Sequence, residues 1–196
     1  MSDAFTKKEY YTKEEYLEME VAAEYKSEYY NGKIFAKPGI SHWHSSICVN
    51  LCCIVGKATD DKDFIPFESS MKLEIAEPNA YVYPDLMVTH GDAEPSEKTD
   101  HAITNPVLII EVLSPDTESF DRGKKFGYYR TIDTLKEYVL VPQNEPIAEV
   151  FFRQDKNTWQ YSVAKGLEST VVLKSIEYEI ALKDIYKKIL FEKSDF

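Results

Sequence analysis

The spacing of hydrophobic residues along the chain alternates between helix-like and strand-like periods. Thr12 followed by Glu15 forms a capping box, which predicts a helix starting near Lys13 that buries Tyr16, Leu17 and, at its far end, Val21. Asn31-Gly32 between two tyrosine- and isoleucine-bearing runs predicts a hairpin, and Pro38-Gly39 ends its second strand. Ser41 caps a helix running to about Lys57. Apolar residues lie nearly all round that helix, which predicts a buried, central position.

The period then becomes two. Residues 64–75 and 81–89 read as strands joined by the turn-rich "AEPNA". Residues 90–105 are polar and unperiodic, a long surface loop of the kind that often carries function. Residues 106–114 form an apolar strand, and Ser114 to Thr117 a turn. Residues 118–132 read as a helix that Gly123 and Gly127 weaken. A strand at 137–141 precedes runs at 147–153, 159–164 and 170–174, which read as an antiparallel meander, and a short helix closes the chain at 181–189. This order predicts an α/β or α+β fold, a mixed sheet with helices on its faces, in a single domain spanning 1–196.

Composition narrows the partners. The chain has 196 residues, enough for one full-sized core, and 43% are hydrophobic. The net charge of −11 argues against non-specific attraction to DNA or to an anionic membrane, although a local basic face is compatible with it. "RGKK" at 122–125 is the most basic short run and makes no DNA-binding signature by itself. Three cysteines, Cys48, Cys52 and Cys53, have no framework spacing, which predicts free thiols and a cytoplasmic setting. No run approaches ~18 consecutive apolar residues, so no membrane span is expected.

Glu111 is the first chemical anomaly. Val107, Ile109, Glu111 and Leu113 share one face of the apolar strand. An ionised carboxylate there is costly unless it is paired, bound to a metal, or kept protonated with a raised pKa; a glutamate reaching solvent near the strand end is the simpler alternative. Asp85, in "YVYPDLMVT", is a second acid in an apolar run. Pro84 before it cannot donate a ladder hydrogen bond, so the strand should bend there. Two such carboxylates make a candidate site for a hard cation such as Mg²⁺. Hydrolysis at such a site calls for a group that orients water and offsets negative charge. On a helix Asp121, Lys125 and Tyr129 share a face, which would supply a lysine; an ordinary surface ion pair has the same spacing.

His44, Cys48 and Cys52 form an i, i+4, i+8 stripe that invites a zinc reading. Residues eight apart on a helix are ~12 Å apart, whereas zinc ligand bonds are only ~2.0–2.3 Å. At most two of the three could share an ion, and buried cysteines acting as small hydrophobes are the plainer reading. His44 can still line the site from the helix start. Trp43 and Trp159 read as core or interface residues.

At "YPDLMVT", "PVLIIEVLSPDTESFDRGKKFGYYR" and "LKEYVLV", and more weakly at "SEYYNGKI" and the histidine of "HSSI", the chain resembles the Uma-two family. This is a bacterial group within the PD-(D/E)XK, restriction-endonuclease-like superfamily, and the resemblance runs from about Tyr11 to Leu190. It implies a restriction-endonuclease-like central mixed sheet flanked by helices, a homodimer, and an endonuclease site that cleaves DNA with Mg²⁺ or Mn²⁺. Asp85 and Glu111 match the motif's metal-binding acids. The superfamily's lysine sits two residues after the glutamate, where this chain has Leu113. In the Uma-two group a lysine on the following helix is the usual substitute, and it maps to Lys125. Glu28 resembles an upstream acid that assists the metal site. A catalytically silent member that binds nucleic acid or protein is the alternative, favoured by Leu113 and the net charge. A two-carboxylate glycosidase needs a defined carboxyl separation, and nothing else in the chain suggests a sugar cleft.

Overall fold

Thr12 caps helix α1 (Lys13–Ala22) with both arms of the capping box formed: its hydroxyl accepts from the Glu15 N–H, and the Glu15 carboxylate accepts from the Thr12 N–H. The helix buries Tyr16, but Val21 lies exposed rather than buried, because five residues on from Tyr16 it is turned to the other side of the helix. Strands β1 (Ser27–Tyr30) and β2 (Lys33–Ala36) form the expected hairpin. Asn31 and Gly32 have φ of 43° and 89°, the left-handed pair that a two-residue hairpin turn requires.

These features come from a computed structural model, which describes residues 9–191. Helix α2 (His42–Thr59) begins at Ser41, whose hydroxyl accepts the His44 N–H. One face of α2 is buried, through Ile47, Leu51 and Val55, while Val49 and Cys53 are exposed. The expectation of burial all round is therefore corrected: the helix covers one sheet and nothing covers its back among the described residues.

The predicted strand at 64–75 is two strands. β3 (Phe64–Glu68) and β4 (Lys72–Ile75) are separated by a turn in which Met71 N–H bonds back to Glu68, and the Glu68 carboxylate takes the hydroxyls of Ser69 and Ser70. The predicted strand at 81–89 divides as well, into β5 (Ala80–Val82) and β6 (Leu86–His90). Pro84 has no N–H, and the Tyr83 N–H is drawn off to the Glu28 carboxylate, so the ladder ends between them. The predicted loop 90–105 contains β7 (Pro95–Ser96) and β8 (Thr99–Ile103). Its exposed Asp100 and His101 hid the strand, in which Ala102 and Ile103 are buried.

β9 (Pro106–Leu113) is the strand expected at 106–114. The helix expected at 118–132 runs from α3 (Glu118–Phe120) through a π-helical turn (Asp121–Lys125) into α4 (Phe126–Tyr129). β10 (Glu137–Pro142), β11 (Ile147–Arg153) and β12 (Trp159–Lys165) follow. The third strand expected in the meander, β13 (Thr170–Leu173), pairs instead with β14 (Tyr178–Ala181), and α5 (Leu182–Ile185) closes the fold.

Two six-stranded mixed sheets result among the described residues, ordered β2-β1-β5-β4-β8-β7 and β12-β11-β10-β9-β6-β3. The second is the expected central mixed sheet, with β9 and β10 parallel and the other pairings antiparallel. Leu108, Ile110 and Val112 of β9 face a core with α2 and α5; Ile109 and Leu113 face the other sheet and Tyr129 of α4. Helices and the first of these sheets thus cover both faces of the central one. No described helix is long and apolar enough to cross a membrane.

Candidate active site

The central sheet places Asp85 and Glu111 side by side. In the β6–β9 ladder Leu86 pairs with Ile110, so continuing the register brings Asp85 opposite Glu111. The ladder has already broken at Pro84, and the Asp85 carboxylate stands in for the missing backbone acceptor, with Oδ2 taking the Val112 N–H at 2.9 Å. The acid is thereby fixed against the strand that carries Glu111.

Glu111 is 3% exposed. Its Oε1 accepts the Tyr129 hydroxyl at 2.7 Å and lies 2.8 Å from Lys125 Nζ. Lys125 also reaches Asp121 Oδ1 at 3.2 Å and lies over the Tyr129 ring. Of the three residues that share a helical face in the sequence, Lys125 and Tyr129 meet the glutamate directly and Asp121 joins it through Lys125. The π-helical turn carries both Asp121 and Lys125; such turns, bonded i to i+5, recur at functional sites.

Two carboxyls a strand apart behave oppositely. Burial pushes Glu111 up to about 7, with the Lys125 ammonium opposing the rise and Asp85 and Asp121 reinforcing it. Burial also pushes Asp85 up, but the His44 hydrogen bond and the charges of Lys37 and Lys125 outweigh it and hold the group at about 2. Lys125 is desolvated too, yet the carboxylate of Glu111 keeps it charged well above the ordinary range.

His44 Nε2 lies 3.3 Å from Asp85 Oδ2, so the helix start does line the site. Glu28, on β1, accepts from the Tyr83 N–H and the Tyr30 hydroxyl, and it faces the same cavity as Asp85, Glu111 and Lys125. Lys37 was not singled out by the sequence. Its Nζ donates to the Tyr83 carbonyl at 2.6 Å and lies 3.6 Å from Asp85 Oδ1. A lysine in the loop after a hairpin carries no pattern of its own; the nearby Pro38-Gly39 marked only where the strand stops.

The cavity between the acids and Lys125 has a volume of about 80 Å³. It has room for an ion and a little water. Its carboxylate donors suit a hard divalent cation such as Mg²⁺ or Mn²⁺. A groove of about 780 Å³ adjoins it, sharing Lys37, Pro38, Gly39, Ile40, His44 and Asp85 as walls. The acids and Lys125 converge on the small cavity, while the groove is the larger space beside it.

Two mixed sheets flanked by helices, with Asp85 and Glu111 adjacent on the central one and Lys125 on the π-helical turn after β9, make a restriction-endonuclease-like fold. Residues 13–183 match the Uma2 family, described as "Putative restriction endonuclease", and the chain belongs to that family. It is similar to two proteins of Synechocystis. One, "Uncharacterized protein sll1609", is 41% identical over 132 residues, covering 67% of this chain and 75% of that protein. The other, "Uncharacterized protein slr1290", is 35% identical over 181 residues, covering 91% and 92%. A crystal structure of "a putative nuclease belonging to DUF820" from Anabaena variabilis superimposes with a TM-score of 0.72 over 90% of this chain and 97% of that one. At 21% identity, that likeness is one of fold.

Proposed function

We propose that the protein is an endonuclease that hydrolyses phosphodiester bonds of DNA with Mg²⁺ or Mn²⁺. The observation that carries the reading is the 2.8 Å contact between Lys125 Nζ and Glu111 Oε1, which brings a cation to the acids although Leu113 stands where a strand lysine would. Asp85 and Glu111 would hold the metal, with Glu28 at the edge of the same cavity. A bound divalent ion supplies charge to offset a phosphate and lowers the pKa of water. Asp85 is ionised throughout the neutral range and needs no activation. Glu111 gives up its proton as the pH approaches 7 or as a cation arrives. Lys125 stays protonated and presents N–H donors to a water or phosphate oxygen, while Asp121 and Tyr129 fix its position. Lys37 adds a second positive charge where cavity and groove meet, a local offset to the −11 of the whole chain.

A silent binding module is the second reading, favoured by the enclosure of Lys125 among Glu111, Asp121 and Tyr129. Supercoiled plasmid and single-stranded DNA incubated with Mg²⁺ or Mn²⁺ separate the two. The nuclease reading expects cleavage that Asp85→Asn and Glu111→Gln abolish. Intact DNA under every condition, or equal cleavage by both variants, overturns it.

A further inference from the structure

Cys48 lies one helical turn after His44 on α2, and its Sγ is 3.5 Å from His44 Nδ1. Nε2 of the same ring lies 3.3 Å from Asp85 Oδ2; the neutral tautomer with its proton on Nε2 presents the Nδ1 lone pair to the thiol. One ligand atom from each of His44, Cys48 and Asp85 lies within 4.8 Å of the other two. Helix α2 alone offers only His44 with Cys48, too few ligands to hold an ion; Asp85 completes the set from the break between β5 and β6.

We propose that His44, Cys48 and Asp85 form a second metal site, selective for a borderline-soft divalent ion such as Zn²⁺ or Co²⁺. A tetrahedral ion with bonds of ~2.0 Å to nitrogen and ~2.3 Å to sulfur needs those two atoms ~3.5 Å apart. The Nδ1–Sγ separation already matches; Asp85, which faces Nε2 of the same ring, has to turn towards the Nδ1 side to complete the set. The ion takes the place of the thiol proton between sulfur and nitrogen, and that proton leaves to solvent. Burial pushes the Cys48 thiol up, so without a soft ion the cysteine stays protonated and unreactive. Mg²⁺ has little affinity for sulfur or imidazole, which separates this donor set from the all-oxygen pair Asp85 and Glu111. His44, Cys48 and Asp85 all line the large groove, so the fourth position opens towards it. If the metal-nuclease reading holds, the two sites share Asp85, and the soft ion excludes the catalytic one.

The test is Co²⁺ titration of the full chain in the absence of DNA, read by absorbance. The expected result is a thiolate-to-Co²⁺ charge-transfer band in the near ultraviolet. Cys48→Ser removes the band, His44→Ala weakens Co²⁺ binding at least about 10-fold, and Cys52→Ser and Cys53→Ser retain it. Thermal melts of each variant confirm that it is folded. The absence of a band in the wild-type chain, or a band that survives Cys48→Ser or depends on Cys52 or Cys53, overturns the site. This readout does not depend on cleavage. A second arm measures Zn²⁺ inhibition of Mg²⁺-dependent cleavage, expected in the wild type and relieved in Cys48→Ser. A Co²⁺ band without any cleavage leaves the metal site standing and removes the nuclease reading alone.

Discussion

The Asp85 carboxylate accepts the backbone N–H of Val112, the residue next to Glu111, at 2.9 Å. One acid of the site is therefore tied to the strand of the other by a main-chain bond, and its side chain serves both structure and chemistry. Asparagine keeps a carbonyl oxygen for that N–H, whereas alanine leaves it unpaired. Asp85→Ala should unfold at lower urea than Asp85→Asn, by about 1–3 kcal/mol, while both lose cleavage. Equal unfolding midpoints would show that the Val112 bond contributes nothing.

Lys125 holds two buried acids, so its removal costs more than its own contacts. Lys125→Met leaves Glu111 and Asp121 without their cation and should cost about 3–5 kcal/mol. The double variant Lys125→Met with Glu111→Gln removes much of the uncompensated charge and should recover a large part of that loss. A double-mutant cycle in urea measures the coupling; simple additivity of the two single changes would contradict the pairing.

Glu111 sets a pH dependence of opposite sign to that of Asp85. Its folded pKa, about 7, lies above the ordinary 4.5, so the folded protein binds the extra proton between those values. Its contribution to stability is fully present below 4.5 and is lost as the pH rises to about 7. For Asp85 the folded value of about 2 lies below 3.8, and its contribution is lost as the pH falls through that window. In metal-free protein, Glu111→Gln should flatten the decline in stability between pH 4.5 and 7. Urea melts across that range check it; an unchanged slope would assign the decline to another group.

Lys37 should be felt through Asp85. Removing its charge in Lys37→Met should raise the Asp85 pKa towards the ordinary carboxylate range. Carboxyl-carbon NMR titration of the two proteins reads the shift directly, and superimposed Asp85 titration curves would exclude the contact.

Much of this arrangement was legible in the sequence because it depends on local periodicity. The capping box of α1, the Asn31-Gly32 turn and the face shared by Asp121, Lys125 and Tyr129 are all set within a few residues. Alternation along β9 put Glu111 on a buried face with Ile109 and Leu113. What remained hidden depended on partners distant in sequence. β4 leaves the line of β3, and β5 that of β6, because each finds its ladder in a different sheet. β8 has two buried residues near its end and pairs in parallel with β4, so its exposed half gave no alternation to read. Lys37 and Cys48 joined the site only when folding brought Asp85 to them.

The break at Tyr83–Asp85 has a mechanical consequence. Glu111 rides wholly on the central sheet, whereas the chain that delivers Asp85 comes out of the other sheet just before it. Glu28 belongs to that other sheet and grips the crossing at the Tyr83 N–H. The spacing of the acids is thus held within the central sheet by the Val112 bond, while Glu28 ties the other sheet to the crossing that brings Asp85 in. A shift of one sheet against the other would therefore move Glu28 relative to the paired acids before it moved the acids relative to each other.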